Sequence, residues 1–451
     1  MQKTERKTAS FDKKYGSCAF TYVIEAMLEY FVALSVADVY LAKIASAVGM
    51  SDQATAVLAS FVSLGCGFQF LSLFFFRSDR VKKKVTAGHI VSQTCFTLAY
   101  FVPLAAFSGQ VKTVILVAAL LVAHLLHNLV NAPKINWYMS MIRDEKRGSF
   151  TAVKEIVSLF GGMAFTYLLA FCFDSFSDAG NQAGAFVCGA VILAVVTTAH
   201  TVALLLTKEK PSYGEGGVPD EKPRKTDLKA LFRNKSLWKI VLIASLWYAA
   251  NYATLSFSGT YRINELGFSM TYSAIIIAVG SVMRALVSVP LGKFGDKKGF
   301  GTLISFCFLI AAAGYVVYAF TSPENGKILY PVYYVLYCIA MAGINGSMIN
   351  LVYDYVPRDM RSGALAVQHS VSGIVGFLTT LSLTPLMTSI KAGGNVVMGM
   401  TVYSQQLFAL ISLEIVLFLA FYSAVALGKR KNRPSDGKKR QDDDGKKRKK
   451  A

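Results

Sequence analysis

The chain has 451 residues, is 54% hydrophobic and carries charge on only 16% of them, whereas a soluble domain carries about a quarter. Its formal charge of +20 would suit nucleic acid, but the basic residues cluster at the ends of apolar segments and in the tail, with no interleaved aromatics. That pattern excludes a nucleic-acid reader and points to anchoring at a membrane face.

Residues 1–17 are polar, and no small-residue cleavage site follows a short apolar core, so the first helix is expected to be retained. Apolar segments then recur, each near the roughly twenty residues a bilayer requires. Spans are expected at 18–45, 54–76, 87–107, 111–131, 150–173 and 184–207. A second set follows at 237–260, 272–291, 302–320, 329–353, 364–389 and 403–427. Between the sets, 208–236 has linker composition, with Pro211, Gly214, Gly216, Gly217, Pro219 and Pro223 ahead of a basic stretch. The expected organisation is a cytoplasmic N-terminal segment (1–17), a six-helix bundle (18–207), a cytoplasmic linker (208–236), a second six-helix bundle (237–427) and a basic disordered cytoplasmic tail (428–451).

Lysine and arginine set the orientation. Alternate connections carry Lys13 and Lys14, then Arg77 to Lys84, then Lys134, Arg143, Lys146 and Arg147. The opposite connections hold only Lys43, Lys112, Arg262, Lys327 and Lys391. The positive-inside rule therefore places both termini in the cytoplasm. The tail suits anionic lipid. Seven cysteines lack any C-x-x-C spacing and read as small hydrophobes; only Cys172 and Cys188, near one outer loop, are placed to bridge.

The two halves repeat each other. Val48-Gly49-Met50-Ser51 matches Leu266-Gly267-Phe268-Ser269, Arg143-Asp144 with Gly148 matches Arg358-Asp359 with Gly363, and Asp79 matches Asp296. All three offsets are about 215 to 218 residues, the pattern of parallel transporter repeats. The loop Gly292-Lys293-Phe294-Gly295-Asp296-Lys297-Lys298-Gly299 has a worn copy at Arg77-Ser78-Asp79-Arg80-Val81-Lys82-Lys83-Lys84.

On these residues the chain resembles the major facilitator superfamily over roughly 18–427. Gly292, Asp296, Lys297 and Gly299 match the family's G-x-x-x-D-(R/K)-x-G-x-(R/K) loop, except at its last basic position. In the first copy Phe75 and Lys82 replace the two glycines, while Asp79, Arg80 and Lys84 remain. The resemblance implies an all-α membrane protein of twelve transmembrane helices in two pseudo-symmetric bundles, working by alternating access. Glycines permit tight turns, and the aspartate can cap a helix or pair with a nearby cation. Asp79, Arg80, Asp296 and Lys297, with Arg143 and Arg358, are thus expected to latch the lobes on the inner face.

Ionisable residues inside spans are costly, roughly 2.5–3.5 kcal/mol on insertion scales, and read as functional. Glu25 and Glu29 lie one turn apart in the first span and are the expected proton-coupling pair, with sodium as the other candidate ion. Asp38, further along, reads as part of an outer gate or as reaching water. In the fourth span His124, His127, Asn128 and Asn131 share a stripe suited to proton relay or solute binding. No cysteine or carboxylate is adjacent to the histidines, so no metal is expected. Trp247, Tyr248, Asn251 and Tyr252 in the seventh span offer an aromatic and amide face for a ring-shaped or hydroxylated solute. Arg284, the mid-span cation, needs a carboxylate, a carbonyl or an anionic solute, with Glu29 or Glu414 as partners. Asn345 and Asn350, with Gln368 and His369, are further cavity residues.

The expected function is secondary active transport of a small organic solute across the plasma (cytoplasmic) membrane, by proton-coupled uptake. The chain has no Walker loop, so ATP-driven pumping is excluded; it lacks the drug-antiporter proline in the fifth span and the sugar-porter signature after the sixth. Efflux by antiport, or a non-transporting sensor on the same fold, are the alternatives. A monomer without cofactors is expected, and neither a nucleophile–base pair nor a metal cluster argues for an enzyme.

Overall fold

The computed structural model describes residues 2–76, 81–142, 147–209, 228–357, 360–397 and 399–427. Helices account for nearly all of them. The first half contains α1 (Gln2–Ser35), α2 (Asp38–Ala47), α3 (Asp52–Ala59), α4 (Phe61–Phe68), α5 (Ser72–Phe75), α6 (Lys82–Phe101), α7 (Gly109–Ser140), α8 (Arg147–Asp178) and α9 (Gln182–Leu206). The second contains α10 (Leu228–Phe232), α11 (Lys235–Thr260), α12 (Met270–Lys298), α13 (Phe300–Ala319), α14 (Gly326–Tyr355), α15 (Arg361–Ala392) and α16 (Ser404–Ala426). A two-stranded antiparallel hairpin, β1 (Val396–Val397) with β2 (Met400–Thr401), joins α15 to α16.

Among the described residues, eleven helical segments are long and apolar enough to cross a membrane. The expected third span is helical too, as α6, but falls outside that set. Its polar residues Thr86, His89, Ser92, Gln93 and Thr97 are buried, and they lower its hydropathy without facing lipid. Large apolar side chains such as Phe20, Leu206 and Phe421 are left exposed, as a lipid-facing surface requires.

Two large buried cores form among the described residues, with two smaller clusters beside them. One draws on residues 231 to 427 and includes a tyrosine column in which Tyr318 stacks on Tyr333 at 4.1 Å. The other draws on residues 28 to 196 and also takes in Met270 and Ala274 of α12. Side-chain caps start several helices: Ser51 for α3, Ser108 for α7, Asn181 for α9, Asn234 for α11 and Ser269 for α12.

Three local departures matter for the site. The first span breaks at Val36–Ala37, and Asp38 opens α2 with φ of 54°, a conformation Asp tolerates better than most residues. A π-helical turn, Tyr261–Glu265, ends α11. The expected loop 292–299 is instead helix: α12 runs to Lys298, and Gly299, at φ 92°, makes the turn into α13. Lys297 and Lys298 suit the helix C-terminus, so the helix persists beyond the apolar run. Asp296 therefore caps no helix N-terminus; that position before α13 belongs to Gly299.

Candidate functional site

The first lobe buries a charge cluster drawn from four helices. Glu25 and Glu29 project from α1 to one side. Lys134 of α7 reaches both: its Nζ donates to Glu25 Oε1 at 2.9 Å and to Glu29 Oε2. His200 Nε2, from α9, lies 3.0 Å from Glu25 Oε1. The other Glu29 oxygen, Oε1, faces His127 Nδ1 of α7 at 3.4 Å and His89 Nδ1 of α6 at 3.7 Å. Glu25, His89 and His200 are 0% exposed and Lys134 2%, whereas Glu29 is 13% and His127 22%. The cluster therefore meets its surroundings at Glu29 and His127. Two carboxylates and one ammonium leave one net negative charge when the histidines are neutral. Such a pair survives in a low-dielectric interior only with close, multiple partners. Tyr22 and Tyr138, stacked at 4.1 Å, lie in the same lobe, and the Tyr138 hydroxyl meets that of Thr207 at 3.2 Å.

The expected carboxylates are thus together with His127, but three members were not anticipated. The sequence places Lys134 in a basic inner connection; in the structure α7 continues through Pro133 to Ser140 and carries it inside. His127, Asn131 and Lys134 fall at i, i+4 and i+7, a stripe that would have revealed it. His89 and His200 lie within expected spans, where any ionisable residue is a signal. His124 does not join: it packs edge-on against Phe96 at 4.8 Å. Asn128 donates to the His124 carbonyl at 3.0 Å and accepts from the Cys66 thiol at 3.5 Å.

At the end opposite the basic connections the lobes are latched by polar contacts. Asp38 pairs with Arg262, which is 0% exposed and lies over the Tyr330 ring at 5.4 Å. Asp52 pairs with Lys391 and accepts from Asn264 at 2.6 Å; Lys391 also meets Glu265 at 2.9 Å. Asp174 of α8 accepts from the backbone amides of Met270 and Thr271 at 3.0 and 2.7 Å, so one lobe caps a helix of the other. Gly259 lies against the Asp38 backbone carbonyl, and a Cβ there would overlap it. Arg262 and Lys391, two of the few basic residues at this end, are therefore latch partners.

Nearer mid-span, α4 and α15 cross closely at Gly373, where Ser63 Oγ donates to the Gly373 carbonyl at 2.8 Å. The expected aromatic face divides here. Tyr248 meets the Cys66 thiol and Tyr252 the Ser63 hydroxyl across the lobe boundary, with the two rings stacked at 5.8 Å. Trp247 instead points into the second lobe's core, 2% exposed, against Phe308 at 5.7 Å, because an indole buries most area there. Asn251 accepts from Tyr337 at 2.7 Å. Arg284 is half-buried within electrostatic range of Tyr30 of the first lobe and Tyr337 of the second. Among the described residues it has no ion pair with Glu29, which holds Lys134, or with the exposed Glu414. Asn345 is exposed.

Of the expected inner latch, Asp79, Arg80, Arg143 and Arg358 lie outside the described residues. Asp296 and Lys297 are exposed, and among the described residues neither makes an ion pair; Gly292 is half-buried within α12. The seven cysteines are free thiols.

Two helical cores latched at one end, with ionisable residues buried in one of them, define a multi-pass membrane protein of the transporter class. The family model described as Major Facilitator Superfamily matches residues 18–380. The chain belongs to that superfamily. An uncharacterized MFS-type transporter of Methanocaldococcus jannaschii is 25% identical over 241 residues, 51% of this chain and 54% of the relative, so the match spans about half of each. Among solved structures, a D-xylose–proton symporter superposes with a TM-score of 0.70 at 13% identity, covering 90% of this chain and 97% of that one. The nucleoside transporter NupG gives 0.67 at 14%, covering 92% and 100%. At such identities these likenesses establish the fold alone.

Proposed function

We propose that this chain is a proton-coupled symporter that takes up a small polar organic solute by alternating access, with Glu29 as the coupling carboxylate. The observation that supports this most is the buried Glu25–Lys134–Glu29 group with the histidines around it, of which Glu29 and His127 are the partly exposed members among the described residues. Ionised, Glu29 holds Lys134. A proton arriving at Glu29 or His127 cancels the cluster's residual negative charge and loosens Lys134 from Glu29. Coupling follows if solute and proton together favour the same lobe arrangement. Lobe-boundary residues Tyr248, Tyr252, Asn128 and Arg284 are the proposed solute contacts, with Asn345 further along. Hydroxyl, amide and guanidinium groups beside aromatic rings suit a hydroxylated or anionic ring-bearing solute.

With the basic connections taken as cytoplasmic, the described conformation is latched on the outside, and Asp79, Arg80, Asp296 and their neighbours act in the opposite state. We place the protein in the plasma membrane with both termini inside, as a monomer whose tail meets anionic lipid. The test is solute uptake into proteoliposomes with and without an inward proton gradient, screening sugars, nucleosides and organic acids. Wild-type protein should accumulate solute until a protonophore is added. Glu29→Gln should abolish accumulation and keep counterflow exchange; accumulation that survives in this variant removes Glu29 from the coupling role.

A further inference from the structure

Glu29 presents its two oxygens to different partners. Oε2 takes Lys134; Oε1 is turned to His127 Nδ1 at 3.4 Å and His89 Nδ1 at 3.7 Å. Neither approach is a hydrogen bond, and among the described residues all three atoms are buried without one. His89 is 0% exposed, yet among the described residues Nδ1 and Nε2 both lack a hydrogen-bond partner. Buried polar atoms are nearly always satisfied, so an unpartnered set converging on one point needs an explanation.

The spacing supplies one. Ligands held tetrahedrally at about 2.0–2.1 Å from a zinc-like ion stand about 3.3–3.4 Å from one another. The carboxylate oxygen stands from each imidazole nitrogen at that separation to within a few tenths of an ångström, and one ligand atom from each of the three residues lies within 4.8 Å of the other two. We propose that Glu29, His89 and His127 form a binding site for a divalent first-row transition metal of the zinc and cobalt type. Two imidazoles and one carboxylate suit those ions better than magnesium or calcium, which favour all-oxygen sites. The electrostatics agree, since Glu25, Glu29 and Lys134 sum to one negative charge that a cation offsets. Ligands come from α1, α6 and α7, which are fixed by packing rather than by a loop. Glu29 and His127, the two partly exposed ligands, mark the side from which an ion enters. No carboxylate is adjacent in sequence to the histidine pair of α7; the carboxylate arrives from α1, and the second histidine is His89 rather than His124.

Metal binding requires no transport, so the test uses no flux. Full-length protein, purified without a histidine tag and stripped with chelator, is titrated with Co²⁺ alone and read by visible d–d absorption. Saturation at one equivalent with the intense band of low-coordinate cobalt is expected. His89→Gln and His127→Gln should each weaken binding at least tenfold, while His124→Gln and His369→Gln leave it unchanged. Absence of saturable binding, or binding unmoved by His89→Gln and His127→Gln, overturns the proposal. His89 is fully buried, so its replacement risks misfolding, and a second measurement avoids it. Saturating Zn²⁺ should raise the melting temperature of the wild type and not of His127→Gln; equal shifts in both overturn the proposal.

Discussion

Asp38→Asn isolates the charge of the lobe latch. Asparagine keeps the side-chain shape and tolerates the left-handed backbone at position 38, where φ is 54°. The variant leaves Arg262, 0% exposed, with the Tyr330 ring at 5.4 Å but without its carboxylate. Removing one partner of a buried ion pair costs about 3–5 kcal/mol. Asp38 is 23% exposed, so water screens part of the interaction, and about 2–3 kcal/mol is the reasonable expectation. The loss falls on the latched state alone, because parting the lobes lets water reach Arg262. At about 1.4 kcal/mol per factor of ten, the ratio of unlatched to latched molecules should rise roughly 30- to 150-fold. Spin labels at the exposed positions Ala47 and Lys327, one in each lobe, report that ratio as a distance distribution. A longer-distance population should grow in the variant. An unchanged distribution in folded protein would refute the idea that this pair holds the lobes together.

Gly259→Ala should act in the same direction, since its Cβ would overlap the Asp38 carbonyl; the same label pair checks it. Lys134→Met strands two buried carboxylates and should lower stability by about 3–5 kcal/mol, read from thermal melting, with Glu25→Gln in the same chain restoring part of it. Asp296→Asn should leave stability within about 0.5 kcal/mol, because the residue is exposed and unpaired among the described residues. It should still shift the label distribution if Asp296 latches the opposite state, and no shift would leave it an ordinary surface residue.

Hydropathy revealed most spans because lipid selects whole windows of apolar residues. It undervalued α6, whose polar face is satisfied inside the bundle: Ser92 donates to the Ala123 carbonyl at 3.0 Å and Thr97 meets Thr197 at 2.7 Å. A window average cannot separate a face turned to protein from one turned to lipid. Glu25 and Glu29 stood out because an acid is costly wherever its helix lies. Their partners are properties of helix packing, and Lys134 counts in the sequence only as a basic residue of an inner connection. Arg262 and Lys391 were legible as charges but counted only towards orientation; their pairing with Asp38 and Asp52 exists only when the lobes dock.

The first span carries both the proposed coupling residue and the latch. Asp38 lies nine residues beyond Glu29, about 14 Å along a helix axis. The break at Val36–Ala37 invites a local hinge between them, yet both sides of it are fastened to the first lobe. Tyr100 donates to the Ser35 carbonyl at 2.6 Å, and Tyr40 donates to the Thr166 carbonyl at 2.5 Å. The broken backbone is thereby satisfied by side chains from α6 and packed on α8 rather than left to bend. In the proposed cycle, protonation at Glu29 is expected to reach Asp38 through movement of the whole lobe against the π-helical turn after α11, α12 and α15, where the latch partners reside. Two labels within the first lobe, on α2 and α8, should keep their separation in wild type and Asp38→Asn alike, while the cross-lobe pair changes. A change within the lobe equal to that across it would instead place the hinge at Val36–Ala37.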